Sequence, residues 1–242
     1  MTGQSTSMTR RRGSGATPRK YSLWEWTKGY AAWVAVLPIY LSLWAFAKLF
    51  KRLPNWALQK LLRSHMRTTN ARRPDVRIPG DITIPPYMLR WWKIKRNAFF
   101  NVYYHIVRRS DDDTALHDHP WWNFSIILEG NYFEHLIHEG GINTRTKYGA
   151  GDVRFRRSGR FAHRLELERY PDDFGFGLSG QERPVLTIFI TGPVLRRWGF
   201  HHTERWVDAY EWDEFLRQRG INSTKMEGYA KQNAPAQRSL DV

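Results

Sequence analysis

His117 and His119 sit in the stretch Asp111 to Trp122, which reads Asp-Asp-Asp-Thr-Ala-Leu-His-Asp-His-Pro-Trp-Trp. On an extended strand, a His-x-His pair presents both imidazoles on one face, because side chains alternate with a period of two. Two imidazoles side by side make half of a metal site, and at least one further donor must come from a strand distant in sequence and adjacent in the fold. His163 is the candidate, following Gly151-Asp152-Val153-Arg154-Phe155 and Ser158-Gly159. Between the two pieces, Phe124 to Tyr132 runs as an apolar strand into a Gly-containing turn and out into a second strand. Asp118 alternates to the face opposite the two histidines and reads as a turn or supporting residue. Making it a ligand would need His117 rebuilt out of register.

These two segments resemble the short motifs of the cupin superfamily, a His-x-His strand closing on a Gly and a Gly-Asp strand ending in a His. His117, His119 and Gly130 match the first, and Gly151, Asp152, Gly159 and His163 the second. Two positions depart from that pattern. The family's Glu, three or four residues past the second His, falls on Asn123 or Phe124, and His163 lies one residue further from Gly159 than usual. Glu129 lies too far along the strand to replace it. What is left is a three-histidine site similar to that of cupin-type thiol dioxygenases. A wider likeness, from about Pro79 to Leu216, is to uncharacterised cupin-like proteins with a His-Asp-His-Pro-Trp stretch and a stretch like Thr191 to Phe200.

The resemblance implies a divalent metal held by His117, His119 and His163, with Fe(II) and dioxygen chemistry first and zinc, nickel, manganese and copper open alternatives, since imidazole suits several of these metals. Asn123 is a candidate catalytic residue, placed to hydrogen-bond a metal-bound water or dioxygen where the Glu would be, or else to cap a turn. Arg154 and Arg156 share one face of the Gly-Asp strand; facing inward they would bind an anionic substrate, and facing outward they are surface charge. Trp121 and Trp122 are expected in aromatic packing or as pocket walls, and His105 shares a strand face with Tyr103 and Val107 that would line a barrel. The His-x-Asp or His-x-Glu pair of 2-oxoglutarate oxygenases is not met, although Arg164 or Arg196 stands where such enzymes anchor a carboxylate. The expected activity is that of a metal-dependent dioxygenase on a small or anionic substrate. The alternative is a non-catalytic cupin that binds a small molecule or a protein.

Strands must carry these residues. From Tyr87 onward the pattern predicts eight: Met88 to Lys95, Phe99 to Val107, Phe124 to Leu128, Asn131 to Ile137, Thr144 to Tyr148, Val153 to Arg156, His163 to Leu167 and Val185 to Ile190. Eight short strands with turns between them suit a jelly roll. The expected fold is therefore mainly β, a cupin-type double-stranded β-helix barrel with an N-terminal hydrophobic and basic helical extension. Pro171 to Arg183, with three glycines, is expected as a mobile loop, and Trp206 to Arg219 as a C-terminal helix, or a turn followed by one, stopped by Gly220.

The organisation expected for the 242 residues is a basic disordered tail over 1–20, a helical segment over 21–70, a Pro-rich linker over 71–86, the barrel over 87–220 and a disordered tail over 221–242. Gly29 to Ala47 contains no charged residue and is apolar all round, flanked by aromatics, with Pro38 near its centre. A spanning helix, a Pro-broken inserted hairpin, an interfacial helix and a helix buried on the barrel all remain open. Basic residues flank both ends equally, so no orientation follows. Pro54 to Met66 reads as a short basic amphipathic helix. The net charge of +15 lies mostly before the motifs and suits anionic lipid or non-specific nucleic acid, without any module for reading a DNA sequence. With no Cys, disulfides, iron–sulfur clusters and cysteine nucleophiles are excluded. A cytoplasmic location, attached to or inserted in a membrane through 29–47, is expected, and the fold makes a homodimer plausible.

Overall fold

The computed structural model describes residues 23–78, 86–111, 115–137, 143–175, 177–202, 205–209 and 211–218. The two tails expected to be disordered, His138, Gly220 and most of the linker after residue 78 lie outside them. Three helices come first: α1 (Leu23–Ala35), α2 (Leu37–Leu49) and α3 (Asn55–Ala71). Twelve strands follow: β1 (Val76–Ile78), β2 (Met88–Trp92), β3 (Asn101–Val107), β4 (Leu116–His117), β5 (Asn123–Glu129), β6 (Asn131–Ile137), β7 (Asn143–Gly149), β8 (Val153–Arg156), β9 (Arg164–Leu167), β10 (Val185–Thr191), β11 (Gly199–His201) and β12 (Trp206–Asp208). A last helix, α4, spans Trp212–Arg217.

Strands β1-β2-β3-β10-β5-β8 form one antiparallel sheet, and β7-β6-β9 and β12-β11-β4 form two smaller ones. An antiparallel bridge between His117 and His163 joins the smaller two into one layer. From β3 to β10 the chain passes repeatedly between the two layers, which is the jelly-roll path. The candidate ligands are therefore themselves part of the seam that closes the second layer.

β5 shows why the sequence takes this form. Phe124, Ile126 and Leu128 belong to a core on the outer face of the large sheet, while Ile127 belongs to the core between the layers. A strand buried on both faces reads as an unbroken apolar run, not as an alternation. The polar Asn123 and Ser125 take the inner face, toward a cavity. Gly130 allows the turn into β6, with φ at +80° and the carbonyl of Pro184 where a Cβ would stand.

The outer core is completed by the N-terminal helices. Leu43, Phe46 and Ala47 of α2 and Leu58, Leu61 and Leu62 of α3 pack against Trp91, Tyr104, Phe124 and Ile188, and each such apolar side chain contributes roughly 1.5–3 kcal/mol when fully buried. His65, fully buried, bonds through Nε2 with the carbonyl of His105 at 3.1 Å, and Ser64 Oγ meets Tyr104 Oη at 2.9 Å. The apolar segment is thus two helices, not one: the chain bends by 57° at Val36, where Pro38 opens α2. Proline fits a helix's first turn because the amide it lacks has no intrahelical partner there.

Several expectations change. Val76–Ile78, within the expected linker, is the edge strand β1, paired to β2. It is tied down by Trp91 Nε1 donating to the Arg72 carbonyl at 2.9 Å and by Arg72 bonding Asp75 and the Trp92 carbonyl. The expected strand Met88 to Lys95 stops at Trp92. The loop expected to be mobile is held by reciprocal backbone bonds between Tyr170 and the Gly180–Gln181 pair, a bridge from Arg169 to Glu182, and Tyr170 stacked on Phe174. The C-terminal helix is shorter, because Trp206–Asp208 is a strand.

Candidate metal centre

His117 ends β4, His119 follows two residues on, and His163 enters β9 opposite His117, with backbone N–H to O bonds of 2.9 Å in both directions. One ring nitrogen from each lies within 4.8 Å of the others. His119 Nε2 and His163 Nε2 are 2.9 Å apart. Two nitrogens bonded to one ion at ~2.0–2.1 Å and roughly a right angle to one another stand about 3 Å apart, so this pair already has the spacing a shared metal requires. Burial, followed by the positive charge of neighbouring rings, pushes the His119 imidazole well below its ordinary value, and burial does the same for His163. Both are neutral near pH 7 and offer lone pairs.

The loop carrying His119 is held tightly. His119 N–H donates to the Gly159 carbonyl at 2.9 Å, and a Cβ on Gly159 would stand 1.9 Å from the His119 carbonyl oxygen. Only glycine fits there. Arg196 Nη1 donates to the carbonyls of His119 and Gly159 at 3.2 and 3.3 Å and pairs with Asp118 at 2.9 Å. Asp118 does face away from the imidazoles, fully buried. Its carboxylate accepts from Gly199 N–H at 2.8 Å, His201 at 3.1 Å and Trp206 Nε1 at 3.2 Å. Burial alone would raise its pKa, but these bonds from His201, Gly199 and Arg196 outweigh it and hold the carboxyl below its usual value. Trp121 stacks on the His119 ring at 4.7 Å.

Glu134 belongs to neither motif of the sequence. It lies on β6, the strand paired with β9 in the same layer as the histidines, 1% exposed, and His163 Nδ1 donates to its Oε1 at 2.6 Å. That bond keeps the proton on Nδ1 and turns the Nε2 lone pair toward the other histidines, as ligating histidines require. Arg156 Nη2 bonds the same oxygen, and Arg154 Nη2 lies 3.4 Å from Oε2. The carboxylate that the motif lacks near Asn123 is therefore supplied from another strand, behind the ligand. The alternation of β6 carried a signal, because Tyr132 is core and period two places Glu134 on the same face, where a carboxylate needs partners. His117 Nδ1 lies 3.6 Å from Asp111 Oδ2, which orients its ring less closely.

The three histidines open on a cavity of about 150 Å³ between the layers. Asn123 and Arg156, paired across β5 and β8, line it. Arg154 points inward as well but stands over the Tyr148 ring at 3.9 Å, apart from the cavity lining. Trp121 forms a wall, whereas Trp122 is buried on the outer face against Tyr40 and Phe155. His105 lines the cavity. It accepts from Arg90 Nε at 2.9 Å and is kept neutral by burial and then by that arginine's charge. Arg96 also lines the cavity, and among the described residues Glu134 is the sole carboxylate in its lining. His135 is paired with Glu166 at 2.6 Å. His202 rests on Phe215. Arg164 lies outside the cavity lining.

The donor set fits a divalent ion: three imidazoles on one side, those of His117 and His163 buried and that of His119 half-buried, one of them backed by a carboxylate, and a cavity on the other. Among the described residues no other group of metal-ligating side chains comes together.

No protein-family model matches the chain, and no curated protein matches it in sequence. Among solved structures it is similar to an uncharacterised protein with a double-stranded β-helix domain from Klebsiella pneumoniae (18% identity, 47% of this chain and 83% of that one, TM-score 0.32). It is also similar to an RmlC-like cupin protein from Ralstonia eutropha (10% identity, 61% and 85%, TM-score 0.35). A third likeness is to a DMSP lyase from Ruegeria pomeroyi (16% identity, 63% and 72%, TM-score 0.39). With strands passing back and forth between two layers closed by the His117–His163 bridge, the chain has a double-stranded β-helix (jelly-roll) fold.

Proposed function

We propose that this protein is a metal-dependent oxygenase, in which a divalent ion, Fe(II) first, is held by His117, His119 and His163 and a small organic anion occupies the adjoining cavity. The observation that carries the reading is the 2.9 Å approach of two neutral imidazole nitrogens, one of them fixed in its tautomer by Glu134. Three protein ligands leave coordination positions open, and ferrous iron in such a site supplies dioxygen chemistry. Arg90 and Arg96 add positive charge to the cavity wall, while Arg156 is balanced by Glu134. An anionic substrate would balance that charge. Asn123, which lines the same cavity, would donate to an oxygen atom bound beside the histidines. Arg156 acts through Glu134 and so positions His163.

The test is electron paramagnetic resonance of the full chain, loaded with Fe(II) without oxygen and exposed to nitric oxide. A high-spin iron–nitrosyl signal, sharpened or shifted by small carboxylates, is expected. Bound iron that gives no nitrosyl signal would mean a coordinatively closed, structural centre, and the reading would pass to a non-catalytic ligand-binding barrel.

A further inference from the structure

We propose that the outer face of the helical layer α1–α3 docks on an anionic membrane surface, with the helices lying flat in the lipid interface. Three observations point there. First, α2 and α3 pack on the same outer face of the large sheet, so their opposite faces belong to one layer and look away from the barrel. That surface is apolar where a solvated face would be polar. Tyr30, Val34, Leu41, Leu49 and Trp56 expose between 50% and 76% of their surface, and Trp44 lies in the same stripe of α2 as Leu41.

Second, the charge is of one sign. Between Thr27 and Pro74 the chain has nine Lys and Arg and no Asp or Glu. Arg52 and Arg72 are turned to Asp152 and Asp75, but Lys48, Lys60, Arg63 and Arg67 are exposed. Along α3, Lys60, Arg63 and Arg67 continue the stripe that Trp56 begins, at helical spacing. Aliphatic and aromatic side chains ringed by cations match an interface of acyl chains under anionic head groups. A second copy of this chain would bring like charges together, and a nucleic acid backbone offers nothing to Val34, Leu41 or Leu49.

Third, the geometry favours lying over crossing. Among the described residues no single helix is long and apolar enough to cross a membrane, and the bent pair Thr27–Ala35 with Leu37–Leu49 qualifies by length and composition only. In this fold Leu43, Phe46 and Ala47 of that pair are committed to the barrel's outer core. Spanning would strip them from it, whereas docking uses only the face left over.

The experiment is co-sedimentation of the full chain with vesicles of phosphatidylcholine alone and with phosphatidylserine added. Binding to the mixed vesicles is expected, weakened by salt but not abolished, and little to phosphatidylcholine. The double variant Leu41→Glu/Trp56→Glu removes exposed side chains only, so its unfolding midpoint and bound metal should match the parent while vesicle binding falls at least about tenfold. Lys48→Glu/Lys60→Glu should lower binding and its salt dependence together. Failure of the parent to pellet with mixed vesicles overturns the proposal. So does unchanged binding by the Leu41→Glu/Trp56→Glu variant, which would assign binding to charge elsewhere in the chain. Tighter binding to single-stranded RNA than to vesicles, lost only in the lysine variants, would give the face to nucleic acid. A stable dimer in solution that Leu41→Glu/Trp56→Glu dissociates would give it to a second copy.

Discussion

Glu134 is the residue on which the site's electrostatics turn, and replacing it separates two roles. Its carboxylate accepts from His163 Nδ1 at 2.6 Å and from Arg156, whose side chain is also buried, with Arg154 at 3.4 Å. Glu134→Met leaves Arg156 buried without its partner, and removing one member of a buried ion pair costs about 3–5 kcal/mol. Glu134→Gln keeps the shape and one acceptor oxygen but loses the charge, a loss of about 1.5–3 kcal/mol for a charged hydrogen bond. The double variant Glu134→Met/Arg156→Leu removes both charges, and because an apolar pair of similar size replaces a buried ion pair at little net cost, it should regain most of the stability. Metal affinity should not follow. In both variants that carry Met at this position the His163 N–H loses its acceptor, which lowers affinity about 10–100-fold, or roughly 1.4–2.7 kcal/mol, while Glu134→Gln leaves it a neutral acceptor and should lower affinity less. The assay pairs urea unfolding of metal-free protein with a competitive metal titration. If the double variant regains metal affinity along with stability, Glu134 serves only to balance Arg156. If Glu134→Met costs under about 1 kcal/mol, the buried-pair reasoning is wrong.

Other variants probe the elements around the site. Gly159→Ala must push apart the His119–Gly159 pair, since its Cβ would lie 1.9 Å from the His119 carbonyl oxygen. A cost of about 1–3 kcal/mol is expected, with a larger proportional loss of metal affinity, and an unchanged metal titration would contradict the placement of that loop. Asp118→Ala strands Arg196, His201 and Trp206 and should cost about 3 kcal/mol, the low end for a buried pair because Arg196 is partly solvated. Asp118→Asn should cost less, as read by urea midpoints. For pH, Glu166 is held down to about 2, chiefly by Arg145 against an opposing effect of burial, with His135 adding to it. Its folded value lies below the ordinary 4.5, so its contribution is present above about pH 4.5 and is lost as pH falls toward 2. Glu166→Gln should flatten that part of the urea-midpoint curve at low salt, and an unaltered acid limb would show that the pair contributes nothing.

The chemistry was legible where it followed a local period. Asp118 faces away from His117 and His119, as a two-residue alternation predicts, although His119 lies in the loop after β4, and His163 follows a Gly-Asp turn whose Gly151 has φ +93°, so the three clustered histidines could be read without knowing the pairing. Glu134 required knowledge that β6 lies opposite β9, a contact between strands about thirty residues apart. β1 was hidden by prolines, which argue against a central strand but are tolerated around an edge. β11 and β12 are three residues each and too short to show a period. The two tryptophans after Pro120 divide between the inner and outer faces. That division puts Trp122 beneath α2, which the sequence showed only as an apolar run of several possible uses. That run is double-faced: its inner side completes the barrel core, and its outer side remains exposed.

The most direct measurement is the metal content of the full chain, purified without oxygen and without chelators, beside His117→Ala, His119→Ala and His163→Ala. The expected result is a stoichiometric divalent ion in the parent, lost from each variant, while all four keep the circular dichroism of a folded β-barrel. A folded parent that stays metal-free after exposure to Fe(II), zinc, nickel, manganese and copper would contradict a metal centre at these histidines.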